Sequence, residues 1–175
     1  MESDNVMEIK KIGEYAPQLI EGLGSGGAFM TVMNGDEKNT MTIGWGTVGI
    51  IWGKPILMVA VRYSRHTYQL VEKSGEFTVS IPAAGKLKGA LGFCGSKSGR
   101  DYDKFAECKL ATAAGREIDT PVIDGCELVF ECEVVYQQAM EPACLDEGIK
   151  KKYYTGGDYH VLYYGEILAS YQVAD

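Results

Sequence analysis

Proline, histidine and arginine are scarce in this sequence: five, two and four of 175 residues, and no apolar run nears the 18 residues that suggest a membrane-spanning helix. With His66 and His160 as the only histidines and no close ligand pair, no metal site is expected. The five cysteines, at 94, 108, 126, 132 and 144, are odd in number and contain no C-x-x-C pair, which argues against a disulfide framework. The first thirty residues carry Glu and Asp and lack the apolar core of a signal peptide. These absences lead to the expectation of a reducing, cytoplasmic setting.

Positive charge is also short, and the formal net charge of −7 argues against a nucleic-acid or anionic-membrane partner, because phosphate backbones are bound by net positive surfaces. A single phosphate can still be held by a local cluster. Arg62, Arg65 and Arg100 fall in two short polar stretches, and only Arg116 lies elsewhere. Glycine, by contrast, is abundant at 22 residues, which favours turns, strands and close backbone approach.

The length predicts one domain over residues 1–175, with residues 1–21 an N-terminal arm or short helix interrupted by Pro17. Residues 22–27 formally fit G-x-G-x-x-G, but a dinucleotide fingerprint needs a strand before it and a helix after it. Here a strand, Ala28 to Met33, follows, so a glycine-rich loop is expected. Asn34-Gly35-Asp36 signals a hairpin, and the chain returns through a glycine-punctuated, strand-like run, 39–51. Trp45, between two glycines, fits a core position or a ligand contact equally. Lys54-Pro55 is expected to turn into a strand from Ile56 to Arg62.

Residues 62–68, Arg-Tyr-Ser-Arg-His-Thr-Tyr, end that strand and open a helix closed by Gly75. Ser64 and Thr67 stand where capping hydroxyls belong, and guanidinium groups beside a helix start suit a phosphate. The same residues fit a solvated cap with surface arginines. A further strand, 76–82, leads to helix-like residues 83–93 and then to a loop, 94–105, rich in Ser, Gly, Lys and Arg. That loop can cradle an anion or lie free on the surface, and Asp101 is expected to cap the helix carrying Lys104.

The second half reads as β. In the long strand 126–140, Glu127, Glu131 and Glu133 are expected on the outer face, with Cys126 and Cys132 inside as core residues. Lys150-Lys151-Lys152 reads as a solvated patch. Residues 158–171 place aromatics on both faces, as in a strand buried on both sides. About six strands with two or three short helices imply a mainly β chain of the α+β kind, folded as a barrel.

Five segments in order, 39–45, 61–68, 76–82, 98–105 and 160–167, make the chain resemble the flavin reductase-like family, including its flavoredoxin-type members. The resemblance spans about Gly27 to Tyr171. It implies an FMN-binding split β-barrel and a homodimer with the flavin near the subunit interface. Asn39, Thr40, Met41, Thr42 and Trp45 would lie along the flavin ring. Arg62, Ser64, Arg65 and Thr67 would hold the phosphate. Ser80, Ile81, Pro82, Ser98, Gly99, Arg100 and Lys104 would close the site, with Lys104 beside the ring's polar edge. His160 would line it, from its own or the partner subunit. The implied activity is reduction of flavin or another acceptor by NADH or NADPH; the alternative is an electron carrier reduced by a protein partner. No catalytic side chain is named, because hydride transfer to a flavin needs none.

Overall fold

The computed structural model describes residues 2–173, with side chains from residue 7 onward. Its elements are α1 (Glu2–Ser25), β1 (Ala28–Asn34), β2 (Glu37–Ile43), β3 (Gly46–Ile51), β4 (Lys54–Arg62), α2 (His66–Ser74), β5 (Glu76–Pro82), α3 (Lys88–Ser96), α4 (Lys104–Glu107), β6 (Thr112–Ala113), β7 (Val122–Ile123), β8 (Cys126–Ala139), α5 (Glu147–Tyr153) and β9 (His160–Gln172). Seven strands form one sheet in the order β2-β1-β5-β8-β9-β4-β3, while β6 and β7 pair separately. Every pairing is antiparallel.

The two edge strands, β2 and β3, are joined by Gly44 and Trp45 alone. From Ile43 to Gly46 the chain can span at most about 11 Å, so the sheet must curl until its edges nearly meet. The result is a barrel left open at one seam, the split barrel of the resemblance. The expected single return strand over 39–51 is therefore two strands. Gly46 lets the seam form: a Cβ there would stand 2.8 Å from the Met58 carbonyl oxygen.

Inside the barrel, Leu57, Val59, Phe77, Val79, Phe130 and Tyr163 are fully buried. Each such side chain contributes about 2 kcal/mol of apolar burial. Ile12, Tyr15, Leu19 and Leu23 recur at helical spacing along α1 and pack on this core, as do Leu70 and Val71 of α2. A second cluster, of Phe29, Leu91, Cys94 and Cys126, lies under α3. Cys126 and Cys132 are buried as expected, and burial raises the Cys126 thiol pKa to about 12.

The N-terminal segment differs from expectation, forming a 24-residue helix that runs through Pro17. Proline removes the hydrogen bond to Gly13, but both residues are exposed, so water can satisfy the freed carbonyl. The glycine-rich stretch is likewise the helix's last turns rather than a loop. A Cβ at Gly22 would stand 2.7 Å from Ile81, so helix and strand meet there without a side chain between them. Gly27, at φ +93°, donates to the Gly22 carbonyl at 2.9 Å and turns the chain into β1.

Further differences are local. The β3–β4 turn is Trp52-Gly53, both at positive φ, and Pro55 lies within β4. Asp103, not Asp101, caps α4, accepting from the Phe105 and Ala106 amides. The C-cap at Gly75 is as expected, with φ +69° and a 2.9 Å bond to the Val71 carbonyl. Among the described residues no helix is long and apolar enough to cross a membrane.

Glu131 is the largest departure from the alternating pattern of β8. It is fully buried, because residues 111–123 cover the outer face of β5 and β8, where Thr78 and Thr120 tie the segment down. A register shift between Glu131 and Cys132 accompanies this covered stretch. Its carboxylate accepts from the amides of Arg116, Glu117 and Ile118 and from the Tyr171 hydroxyl at 2.7 Å. Glu131→Ala would leave these donors buried without an acceptor. It is expected to cost about 3 kcal/mol, read as a lower urea midpoint with an unchanged m-value.

Candidate functional site

At the seam lies a cleft of about 220 Å³. Met41 and Thr42 of β2, Trp45 of the link, Ala60 and Arg62 of β4, Arg65, Gly95 of α3 and His160 of β9 line it. The β4–β9 register sets Arg62 opposite His160. Arg65 is also a wall of a narrower pocket of about 80 Å³, shared with Asn39, Thr67, Ser98, Gly99 and Lys104. Larger depressions exist elsewhere, including one of about 250 Å³ beside residues 82–88. The seam cleft is favoured because cations and aromatic rings converge there.

Each cation is held by neutral oxygens. Arg62 donates to the main-chain carbonyls of Asp158 and of Tyr153, the latter at 3.1 Å. Arg65 donates to the Cys94 carbonyl at 3.1 Å, and Arg100 to the Ser64 carbonyl at 2.9 Å. Lys104, 2% exposed, donates to the carbonyls of Thr40 at 2.9 Å and Cys94 at 3.0 Å. Among the described residues, none of the four forms a salt bridge. Burial, and then Arg65, lower the Lys104 pKa to about 8. Burial also lowers that of Arg65, opposed by Asp158 and assisted by Arg62. In a chain of charge −7 these cations gather beside a single carboxylate, Asp158, which is bonded to Ser64 and not to any of them, an arrangement that favours an incoming anion.

The opposite wall is aromatic. Trp45, 41% exposed, meets the Tyr153 ring edge-on at 5.1 Å between centroids and the His160 ring at 4.9 Å. Burial and Arg62 lower the His160 pKa to about 4, so the ring is neutral near pH 7. Gly95 keeps α3 close to β2, since a Cβ would approach Thr42 to 3.3 Å. Thr42 fastens the same helix by donating to the Leu91 carbonyl at 2.7 Å.

Of the residues expected in the site, Met41, Thr42, Trp45, Arg62, Arg65 and His160 meet in the cleft, and Asn39, Thr67, Ser98, Gly99 and Lys104 meet in the adjoining pocket. Arg100 stands beyond that pocket, beside Ser64. Ser64 does not present a free cap: its hydroxyl and amide both bond the Asp158 carboxylate. Thr67 is buried and accepts from Asn39 at 2.9 Å, so neither hydroxyl caps α2. The Thr40 side chain is buried against the Met30 carbonyl, leaving its own carbonyl to Lys104. Ser80, Ile81 and Pro82 lie away from the cleft. Ser80 accepts from the Ile123 amide, Ile81 fills the barrel core, and Pro82 borders the depression beside 82–88. Neither face of β5 at these residues is turned to the seam: Ile81 points into the core and Ser80 under the 111–123 segment.

Sequence reading missed Asp158, Tyr153, Tyr154 and Gly95. The adjacent tyrosines in an otherwise polar stretch were a signal for two of them. Only the β4–β9 pairing carries Asp158 and Tyr154 to Arg62, more than 90 residues away in sequence.

Fold and cleft define a split-barrel protein with an anion-attracting, aromatic-walled site at its seam. The flavin reductase like domain profile matches residues 20–175, and the chain belongs to that family. It is 31% identical over 138 residues to an uncharacterized protein of Archaeoglobus fulgidus, covering 78% of this chain and 67% of that one. Among solved structures it is similar to the flavoredoxin of Methanosarcina acetivorans, at 26% identity and a TM-score of 0.66 over 85% of this chain and 69% of that one. An FMN-binding protein from Thermus thermophilus matches at 22% identity and a TM-score of 0.66, over 84% and 70% of the two chains. The NADH:FAD oxidoreductase SgcE6 of Streptomyces globisporus shares the fold at 22% identity and a TM-score of 0.63, over 85% and 76%.

The low Lys104 pKa links stability to pH. Between about pH 8 and the ordinary lysine value of 10.5, the unfolded chain binds a proton that the folded chain does not, so this group's contribution to stability rises with pH. In urea titrations of flavin-free protein, wild type is expected to gain stability relative to Lys104→Met between pH 7.5 and 9.5.

Proposed function

We propose that the chain binds FMN at the seam and is an FMN-dependent oxidoreductase of the NAD(P)H:flavin or acceptor reductase type. The observation that carries this reading is the cluster of Arg62, Arg65 and Lys104, none of them in a salt bridge among the described residues, next to the cleft wall of Trp45 and His160. These residues fit the group: the guanidinium of Arg65, with one protein acceptor among the described residues, has donors left for a phosphate. Met41, Thr42 and Trp45 would border the ring, with Lys104 behind them. The narrowness of the pocket beyond Arg65, about 80 Å³, supports a mononucleotide.

When bound, FMN supplies the redox chemistry. The protein's part is to neutralise the phosphate with Arg65 and Arg62, to orient the ring against the link 44–46, and to keep His160 uncharged beside it. The named NADH:FAD oxidoreductase among the similar structures supports nicotinamide as the electron source. The flavoredoxin supports a second reading, an electron carrier reduced by a protein partner. Five free thiols fit a cytoplasmic setting.

The functional unit in this reading is a homodimer. Ile50, Ile51 and Trp52 at the β3–β4 turn and Val135 and Tyr136 of β8 are exposed. Trp52 and Tyr136 touch at 6.0 Å between centroids, and Tyr136 continues to Tyr164, making an aromatic surface suited to a second copy.

Purified protein mixed with FMN and freed of excess should retain a flavin absorption spectrum; colourless protein would overturn the reading. Arg65→Ala is expected to weaken FMN roughly 10- to 100-fold, the loss of charge-assisted hydrogen bonds, while riboflavin changes little. Equal losses would place the guanidinium away from the phosphate. In stopped-flow mixing, rapid bleaching by NADH or NADPH is expected. Slow bleaching with rapid reduction by a protein donor would favour the carrier.

A further inference from the structure

We infer that Tyr154 is a positioning residue: its hydroxyl fixes the His160 ring with the proton on Nε2, so the cleft presents an uncharged N–H donor to a carbonyl oxygen or unprotonated ring nitrogen of the bound ligand. That this ligand is a flavin rests on the reading above; the tautomer does not.

The assignment follows from hydrogen-bond accounting. The Tyr154 oxygen lies 2.7 Å from His160 Nδ1. A neutral imidazole carries one proton, so either the phenol donates to Nδ1, or Nδ1–H donates to the phenol and the phenolic proton needs another acceptor. Tyr154 is 4% exposed, and its hydroxyl has no second partner among the described residues. The second arrangement would strand a buried donor, a loss of about 1–3 kcal/mol. The phenol therefore donates, and the imidazole proton resides on Nε2. That nitrogen has no protein partner among the described residues and is not sealed from solvent, while the ring lines the cleft.

The donor is held firmly. The Tyr154 ring stacks on Tyr159 at 4.8 Å with 16° between planes, and the Arg62 guanidinium stands 5.1 Å from its centroid. Burial raises the Tyr154 pKa, which keeps it a phenol. The groups facing His160 are Arg62 from β4, Asp158 from the approach to β9, Tyr154 after α5 and Trp45 from the seam link. Arg62 opposes a charge on the ring. Asp158 favours one, but its carboxylate is already bonded to Ser64. An ordinary histidine would change charge near pH 6.5 and alter the site's field with it. This one keeps a constant charge and a constant donor through that range.

The test uses the full-length, flavin-free protein. With two histidines in the chain, nitrogen-15 NMR of wild type and His66→Gln assigns the His160 ring. A protonated Nε2 and an unprotonated Nδ1, unchanged from pH 8 to 5, are expected. Tyr154→Phe should mix the two neutral tautomers, while the titration, held down by burial and Arg62, stays low. In the loaded protein the loss of a fixed Nε2–H donor should weaken FMN several-fold relative to wild type. A wild-type ring protonated on Nδ1, or a Tyr154→Phe ring with unaltered tautomer, would overturn the lock. Unchanged FMN affinity in that variant would overturn the donor role. If Tyr154→Phe does not fold, the wild-type spectrum decides the tautomer, and His160→Gln, which retains an N–H donor, should hold FMN better than His160→Ala; equal affinities would overturn the donor role. A locked tautomer in a protein that retains no flavin would leave the lock standing and sink the cofactor reading alone.

Discussion

The two-residue connection between the sheet's edges is the constraint on which the rest depends. Gly44 and Trp45 cannot reach from β2 to β3 unless the seven strands curl almost into a closed barrel. The curl brings Arg62 and His160, on adjacent inner strands, to the seam. It also leaves Trp45 at the mouth, where it packs on Tyr153 and His160 instead of entering the core. The glycines around the link serve close approach: Gly46 lies against the β4 backbone and Gly44 near the end of α1.

Charge at the seam is organised by what is withheld. Arg62, Arg65, Arg100 and Lys104 each donate to main-chain carbonyls, yet none forms a salt bridge among the described residues. Carbonyls fix the positions of cations without cancelling their charge. The nearby carboxylate, Asp158, is turned to Ser64. The site can thus attract an anion although the chain as a whole is acidic, because screening confines long-range repulsion to about 10 Å while these cations act at contact.

The same economy of partners appears in the scaffold. Glu131, expected to face solvent, is the acceptor that gathers the 114–120 loop onto the sheet. Tyr163, wholly buried in the barrel, reaches Glu72 of α2 at 2.6 Å. Polar groups taken out of water are matched across elements distant in sequence, and such matches hold the helices to the barrel.

The sequence alone determined the elements and the family: β1, α2 with its Gly75 cap, β5 and β9 were legible because apolar periodicity and turn residues act over a few positions. The five ordered segments carried the resemblance. Arg62, Arg65, Lys104 and His160 could be named because cations and a rare histidine stand out in an acidic chain. Only the tertiary structure decided which named residues face one another. Ile81 points into the barrel, Ser80 lies under the 111–123 segment and Pro82 borders a separate depression, while Met41, Thr42 and Trp45 reach the seam, a choice set by the curl of the sheet. Asp158 and Tyr154 became partners of Ser64, Arg62 and His160 through one antiparallel pairing. Local patterns record preferences of neighbouring residues, whereas those contacts depend on register and closure, which no short stretch of sequence contains.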